Sequence, residues 1–467
     1  MGYHPRKIPL PIGGRPRGAP KNQVLNPFSG IDDSFPMLET SSGTSDPRPR
    51  FRTSEWTSPI GRSTGKILEN LGTLYQAPLA NTRFLILSGG FWNTMLAATD
   101  PYKSLFFQRL GYDNRSIGLL LAMDMVVRAS GLGLSGFFMR KFGAKRMLVA
   151  GDIVSWVLPY LILGLASQPW HILVAVLCTS LNAFSSTPYN CLLVQGMPAE
   201  RRTKAYAFMH LWNIAPTVVV PWIAGAFVAG HDFLPAVRIL FLLQATSISV
   251  GIFLRWRHLE DLQGLGENVG RGFLSTLRTL AASRPYLAAW AALASQWVFT
   301  QIWSSFLPIF LTGHLARGVR MPALMNEAAG IGLLVGTLLV IPRLSESRMR
   351  ALAPVGLAIQ LVFVILYARH PASWTLLALA STGGVCSSLY LGATSSILSH
   401  ALPSHLRDHG FSISYMGAFL LAALAMPWVG GILKAHQGAF PLLAGGGLLA
   451  WMGTLAVSDR LLKRSGL

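Results

Sequence analysis

The sequence predicts an all-α membrane protein, with twelve transmembrane helices in two pseudo-symmetric six-helix bundles. Three observations carry this expectation. Hydrophobic residues fill 51% of the 467 positions and charged residues only 12%, about half the charged share of a soluble domain. Apolar runs of spanning length, roughly 20 residues each, recur from Arg83 onward. Short basic turns separate them, and one five-residue pattern returns 206 positions later.

The predicted spans are 84–106, 115–138, 147–167, 171–195, 204–229 and 235–254, then 286–312, 325–342, 350–368, 373–399, 411–433 and 438–457. Residues 1–78 are rich in Pro, Gly, Ser and Arg and read as a disordered cytoplasmic tail. No basic start leads directly into an apolar core and cleavage site, so no cleaved signal peptide is expected. The domain plan is therefore tail 1–78, first bundle 79–254, connector 255–285, second bundle 286–460 and C-terminal tail 461–467. In the connector, Phe273, Leu274, Leu277 and Leu280 recur at helical spacing among Arg271, Arg278 and Arg284, the pattern of a surface-lying amphipathic helix.

Loop charge sets the expected orientation. The turn Gly136–Arg146 carries Arg140, Lys141, Lys145 and Arg146, with Gly143 to turn the chain. Arg201, Arg202 and Lys204, then Arg255 and Arg257, then Arg343, Arg348 and Arg350 fall on the same expected side, whereas the loop near Ser167–Trp170 has no basic residue. Basic residues are retained on the cytoplasmic side, so both termini are expected there. The net charge of +20 is spread over loops and tail without aromatic platforms, which argues against a nucleic-acid partner. Cys178, Cys191 and Cys386 all lie in apolar runs and read as small buried hydrophobes, not as a metal site or disulfide frame.

The repeat pairs Pro221-Trp222-Ile223-Ala224-Gly225 with Pro427-Trp428-Val429-Gly430-Gly431. A weaker echo pairs Met197–Arg201 with Leu402–Leu406 at nearly the same offset. Parallel repeats of this kind place a transport path at their interface.

On these residues the chain resembles the major facilitator superfamily over about 84–460. The family's loop after its second helix matches Gly136, Lys141, Gly143, Lys145 and Arg146, while Arg140 stands at the family's Asp position. Pro198, Glu200, Arg201 and Arg202 match the family's turn between helices four and five. The glycine-proline element of helix five is degraded at Val220–Gly225. The long polar N-terminal tail is similar to that of fungal members. The resemblance implies a gating role for the Gly136–Arg146 loop and a central cavity lined by helices one, four, seven and ten.

Charges inside helices are costly and therefore informative. Asp124 and Arg128 lie one helical turn apart and can pair; the pair reads either as a coupling element or as a structural lock. Asp100, followed by Pro101 and Lys103, is the candidate for proton or cation coupling, or else a cap near the interface. Asp152 reads as an offset to loop charge and Arg238 as a snorkelling side chain. Candidate cavity residues are Asn182, Tyr189, Asn190, His210, Asn213, Gln296, Gln301, Trp303, Ser388 and Tyr390. Polar groups at this density do not face lipid; they line water or join helices.

The expected function is a secondary active transporter of a small amphipathic organic solute, working by alternating access, with proton-coupled export the leading direction. Proton-coupled uptake of an organic nutrient, or a non-transporting receptor or scaffold, are the alternatives. No enzyme activity and no cofactor are expected. A monomer in the plasma membrane is the default, with a vacuolar membrane as the other choice.

Overall fold

The computed structural model describes residues 80–194, 209, 212–260, 273–403 and 406–464. The 1–78 tail, the Pro198–Arg202 turn and His210 lie outside the described residues, as do the side chains of Arg140, Phe273 and Leu274.

Helices account for nearly all of the described chain. The first set is α1 (Ala80–Arg109), α2 (Asn114–Phe142), α3 (Ala144–Asp152), α4 (Leu158–Leu165), α5 (Pro169–Ser180), α6 (Asn182–Val194), α7 (Val220–Ala229) and α8 (Phe233–His258). A short helix α9 (Phe273–Ala281) precedes α10 (Arg284–Ile309), α11 (Met321–Val335), α12 (Glu346–Tyr367), α13 (Ser373–Ala401), α14 (Arg407–Ala435) and α15 (Phe440–Arg464). A π-helical turn, Ile153–Val157, joins α3 to α4, and others follow α10 (Phe310–His314) and α11 (Gly336–Val340). Two of these turns hold the residue four before a proline, Ser155 for Pro159 and Leu338 for Pro342. Widening the turn relieves the clash of a proline ring with that carbonyl.

Among the described residues, ten helical segments are long and apolar enough to cross a membrane. Helices α1 and α10, at 30 and 26 residues, are long enough but are not among the ten. Both carry polar side chains well inside their length, Thr99, Asp100, Lys103 and Ser104 on α1 and Gln296, Thr300, Gln301 and Ser304 on α10. The fold is thus an all-α multi-pass membrane protein.

Helix ends gather on two faces, here called the Asp113 face and the Lys141 face. On the first, Tyr112 Oη donates to Pro169 O, Arg238 Nη2 to Ala166 O (2.6 Å) and Arg317 Nη2 to Pro371 O. Arg238 therefore clips the turn between α4 and α5, where snorkelling was the expectation. On the second, Asn81 exchanges hydrogen bonds with Glu260 and Phe84 stacks on His258 at 4.4 Å. The basic turn is tight: Gly143 alone separates α2 from α3, at φ +84°, a conformation that favours glycine. Helix α9 packs on α10 and α14, burying Leu280 while Leu277 and Arg278 stay exposed.

Two expected loop charges prove to be core. Asp152 and Arg255 are both buried, and Arg255 Nη1 meets Asp152 Oδ2 at 2.6 Å. Arg255 Nε also donates to Ser88 Oγ, and its guanidinium lies 3.9 Å from the Trp92 ring centroid. The reason is geometric. Arg255 sits in the last turn of α8, which packs along α1, so its side chain turns inward instead of reaching the loop.

Helices α2 and α14 make the most extensive contact between the two sets. It depends on glycines: a Cβ at Gly118 would strike the Met426 carbonyl, and one at Gly430 the Asn114 carbonyl. Asn114 Nδ2 donates to Leu433 O (2.9 Å), and Lys434 Nζ meets Asp113 Oδ2 (2.6 Å). Lys434, together with the Ser116 amide and hydroxyl, holds the Asp113 carboxyl down to about 2.

Two measurements test this account. Asp152→Asn strands a buried guanidinium and is expected to cost about 3–5 kcal/mol of stability, read as a lower melting temperature of the purified protein. The double change Asp152→Asn with Arg255→Met recovers much of it. Asp113 is held below its ordinary value of 3.8, so its contribution is present above that pH and is lost as pH falls toward 2. The melting temperature is expected to drop less over that window in Asp113→Asn than in the parent.

Candidate functional site

A central cavity of about 610 Å³ occupies the half of the molecule nearer the Asp113 face. Its wall from the first set comes from α1 (Asp100 to Phe107), α2 (Ile117 to Arg128) and α5 (Val176, Thr179). Its wall from the second set comes from α10, α11, α12, α13 and α15. Toward the Lys141 face it ends on an apolar cluster in which Met125 and Ala129 of α2 meet Phe419, Ala422 and Ala423 of α14, with Trp297 packed against them.

The charged wall has two parts. Arg128 Nε donates to both carboxylate oxygens of Asp124 at 2.9 Å, and Arg128 Nη1 to Asn182 Oδ1 at 2.8 Å. Ser180 Oγ lies 2.7 Å from Asp124 Oδ1. Ser180 ends α5 and Asn182 begins α6, so the pair grips both sides of the break at Leu181. Asp100 is exposed to the cavity and Lys103 is half-buried beside it. Neither makes a hydrogen bond or ion pair with any described residue.

The facing wall is neutral. Gln296, Trp297, Gln301 and Trp303 come from α10, Gln360 from α12, Ser387 and Tyr390 from α13, and Trp451 from α15. Gln296 Oε1, Trp297 Nε1 and Gln360 Oε1 are buried without a hydrogen-bond partner among the described residues. Tyr390 Oη and Ser387 Oγ bond to each other at 2.6 Å.

Of the candidates named from sequence, Asp100, Asp124, Arg128, Gln296, Gln301, Trp303 and Tyr390 share this cavity. The other described candidates do not line it. Asn182 serves Arg128, while Tyr189 lies toward the Lys141 face against Met209 and Arg255. Asn190 is exposed, Asn213 accepts from Asn93 Nδ2 at 2.8 Å, and Ser388 packs against Gly336. In the Gly136–Arg146 loop, Lys141 and Arg146 are exposed. Sequence reasoning passed over Gln360 and Trp451. A lone glutamine in the apolar run 350–368 was the available signal for the first; nothing marks one tryptophan among 13 for the second. Among the described residues no group of three His, Cys, Asp or Glu could hold a metal ion.

A bundle of membrane-length helices around one wet cavity, walled by charge on one side and by amides and aromatics on the other, is the architecture of a solute carrier. The comparisons specify the family: the profile of the Major Facilitator Superfamily matches residues 84–426. The chain belongs to that superfamily, so it is a secondary transporter and not an enzyme. Solved structures share the fold. The nucleoside transporter NupG aligns with TM-score 0.63 at 14% identity, covering 82% of this chain and 99% of that one. A D-xylose-proton symporter aligns with TM-score 0.62 at 14% identity, over 80% and 96% of the two chains. A bacterial homologue of the human lysosomal transporter Spinster, inward-facing and unoccupied, aligns with TM-score 0.58 at 15% identity, over 81% and 95%. Among curated proteins none matches the chain.

The clamp yields one expectation. Arg128→Met leaves the Asp124 carboxylate unpaired and frees Asn182, and is expected to destabilise by about 3 kcal/mol. Arg128→Lys, which keeps the charge, is expected to cost less. Thermal melts of the two purified variants decide it.

Proposed function

We propose that the chain forms two six-helix bundles, 79–254 and 286–460, joined by the connector 255–285, and carries an amphipathic organic solute between them by alternating access. The observation that carries this reading is the cavity itself, walled by both bundles and holding the unpaired Asp100. The two copies of the repeat support the pairing of halves. Gly225 of α7 meets Arg320 and Ala323 at the start of α11, and Gly430 of α14 meets Asn114 and Arg115 at the start of α2. Gly430 aligns with Ala224 and not with Gly225, so the correspondence is one of helices, α7 on the start of α11 and α14 on the start of α2.

Proton-coupled export is the direction we favour. A carboxylate facing the cavity can hold either a proton or a cationic group of the solute, and competition for one site exchanges the two. Asp124 and Arg128 brace α5 and α6 while this happens. Tyr189, toward the Lys141 face, is placed to line the cleft when it opens that way, with Asn190 and Asn213 on neighbouring segments; His210 belongs to the same reading. The loop Gly136–Arg146 then acts as the gate. Both termini are cytoplasmic on loop charge, the protein works as a monomer in the plasma membrane, and the tail follows the fungal pattern. Proteins of this fold include a D-xylose-proton symporter and a nucleoside transporter, which accords with organic cargo and proton coupling. Arg140 at the family's Asp position favours one other reading, a receptor or scaffold that does not transport.

Flux in sealed vesicles tests both. Solute movement is expected to follow an imposed pH gradient, and Asp100→Asn, assayed at saturating solute, is expected to move solute without regard to it. Gradient dependence that survives the substitution removes Asp100 from coupling. An absence of flux for every amphipathic solute under every gradient ends the transporter reading.

A further inference from the structure

We propose that the solute is a zwitterion: an ammonium and a carboxylate on one centre, attached to a planar body that ends in a hydrogen-bond donor. The proposal deepens the transport reading and rests on it, since it takes the central cavity as the solute site.

The charges on the cavity wall carry the first part. Four charged side chains line it among the described residues, and two of them, Asp124 and Arg128, satisfy each other at 2.9 Å. Asp100 and Lys103 remain. They lie one turn apart on the same face of α1, a spacing at which opposite charges ordinarily pair. Here they stay apart, and neither has another described partner within ion-pair distance. A purely structural pair closes, as Asp124 and Arg128 do. An open pair of opposite sign complements a ligand that brings both signs, its ammonium to Asp100 and its carboxylate to Lys103. A simple cation would meet the repulsion of Lys103 and a simple anion that of Asp100, so the arrangement selects by rejection as well as by attraction. A neutral solute would desolvate both charges without pairing either.

The facing wall carries the second part. It holds no charge, so the body of the solute lies there. Trp303, half-buried at the cavity, offers a flat surface to a planar group, and Trp451 is buried against Phe299 and Tyr390 of the same wall. Gln360 is only 6% exposed, yet its Oε1 has no partner, and the Gln296 Oε1 is in the same position. Gln360 rests on the bare backbone of Gly383, where a Cβ would lie 2.5 Å from Oε1. A buried carbonyl left unpaired is costly, and a turn of the Gln360 amide away from Gly383 would present it to an N–H or O–H on the far end of the solute. The volume of about 610 Å³ accommodates such a head and body together.

The test is direct binding to the purified full-length protein in lipid nanodiscs, read by melting temperature and equilibrium titration. Tryptophan, tryptamine and indole-3-propionate share a ring and differ in the head; phenylalanine keeps the head and lacks the ring donor. Tryptophan is expected to bind at least about tenfold more tightly than tryptamine or indole-3-propionate. Asp100→Asn is expected to erase its advantage over indole-3-propionate, and Lys103→Gln its advantage over tryptamine. Gln360→Leu is expected to erase its advantage over phenylalanine. Melts of the unliganded variants verify that each is folded. Equal binding of either singly charged probe, or no shift with any of the zwitterions, overturns the proposal. Binding and flux separate the two readings: a zwitterion that binds but is not carried sinks the transporter, and a singly charged solute that is carried sinks the zwitterion.

Discussion

Inside a bilayer a polar group has no water to fall back on, and every part of this structure answers to that constraint. Helix by helix, the embedded polar side chains find one another. Asp152 takes Arg255, Asp124 takes Arg128, Asn93 reaches Asn213, and Thr99 bonds to Gln244. Each of these links joins helices or braces a break between them. Among the described residues, Asp100, Lys103, Gln296, Trp297 and Gln360 stay unmatched around the central cavity, while Tyr102 Oη, Gln244 Nε2 and Tyr367 Oη are buried without a partner away from it. Satisfied groups thus hold the bundle, and part of what stays unsatisfied borders the cavity.

The same rule explains which helices are hardest to recognise as spans. Helices α1 and α10 open the first and second sets, and each gives one side to the cavity. Their polar residues lower the average that marks a membrane segment, although the rest of each helix packs among apolar neighbours. Pro101 in α1 and Pro308 in α10 also sit at the cavity. A helix that lines a wet path is by construction less lipid-like than one that supports it.

How much the sequence disclosed follows from the range of each interaction. Asp124 and Arg128 were legible as a pair because helical spacing brings them together without knowledge of the fold. Asp152 and Arg255 are 103 positions apart, so only the packing of α8 could turn both inward. The turn at Gly143 was legible because one residue type answers one backbone requirement. The break at Leu181 was not, since no proline or glycine announces it and its grip comes from α2. Half of the cavity's neutral wall was legible on α10, where glutamine and tryptophan alternate within a few positions. Gln360 was hidden by isolation.

The π-helical turns have a consequence for how this chain can change length. Each holds one residue more than the α repeat requires. At Ile153–Val157 α-helix continues on both sides, so the extra residue is taken up locally and counting faces by the α period slips by one there. At Phe310–His314 and Gly336–Val340 the turn ends its helix, and the slip has no following helix to reorient. A single-residue insertion or deletion is thus best stored at the first of these turns, where it can be absorbed without turning the buried Asp152 toward lipid.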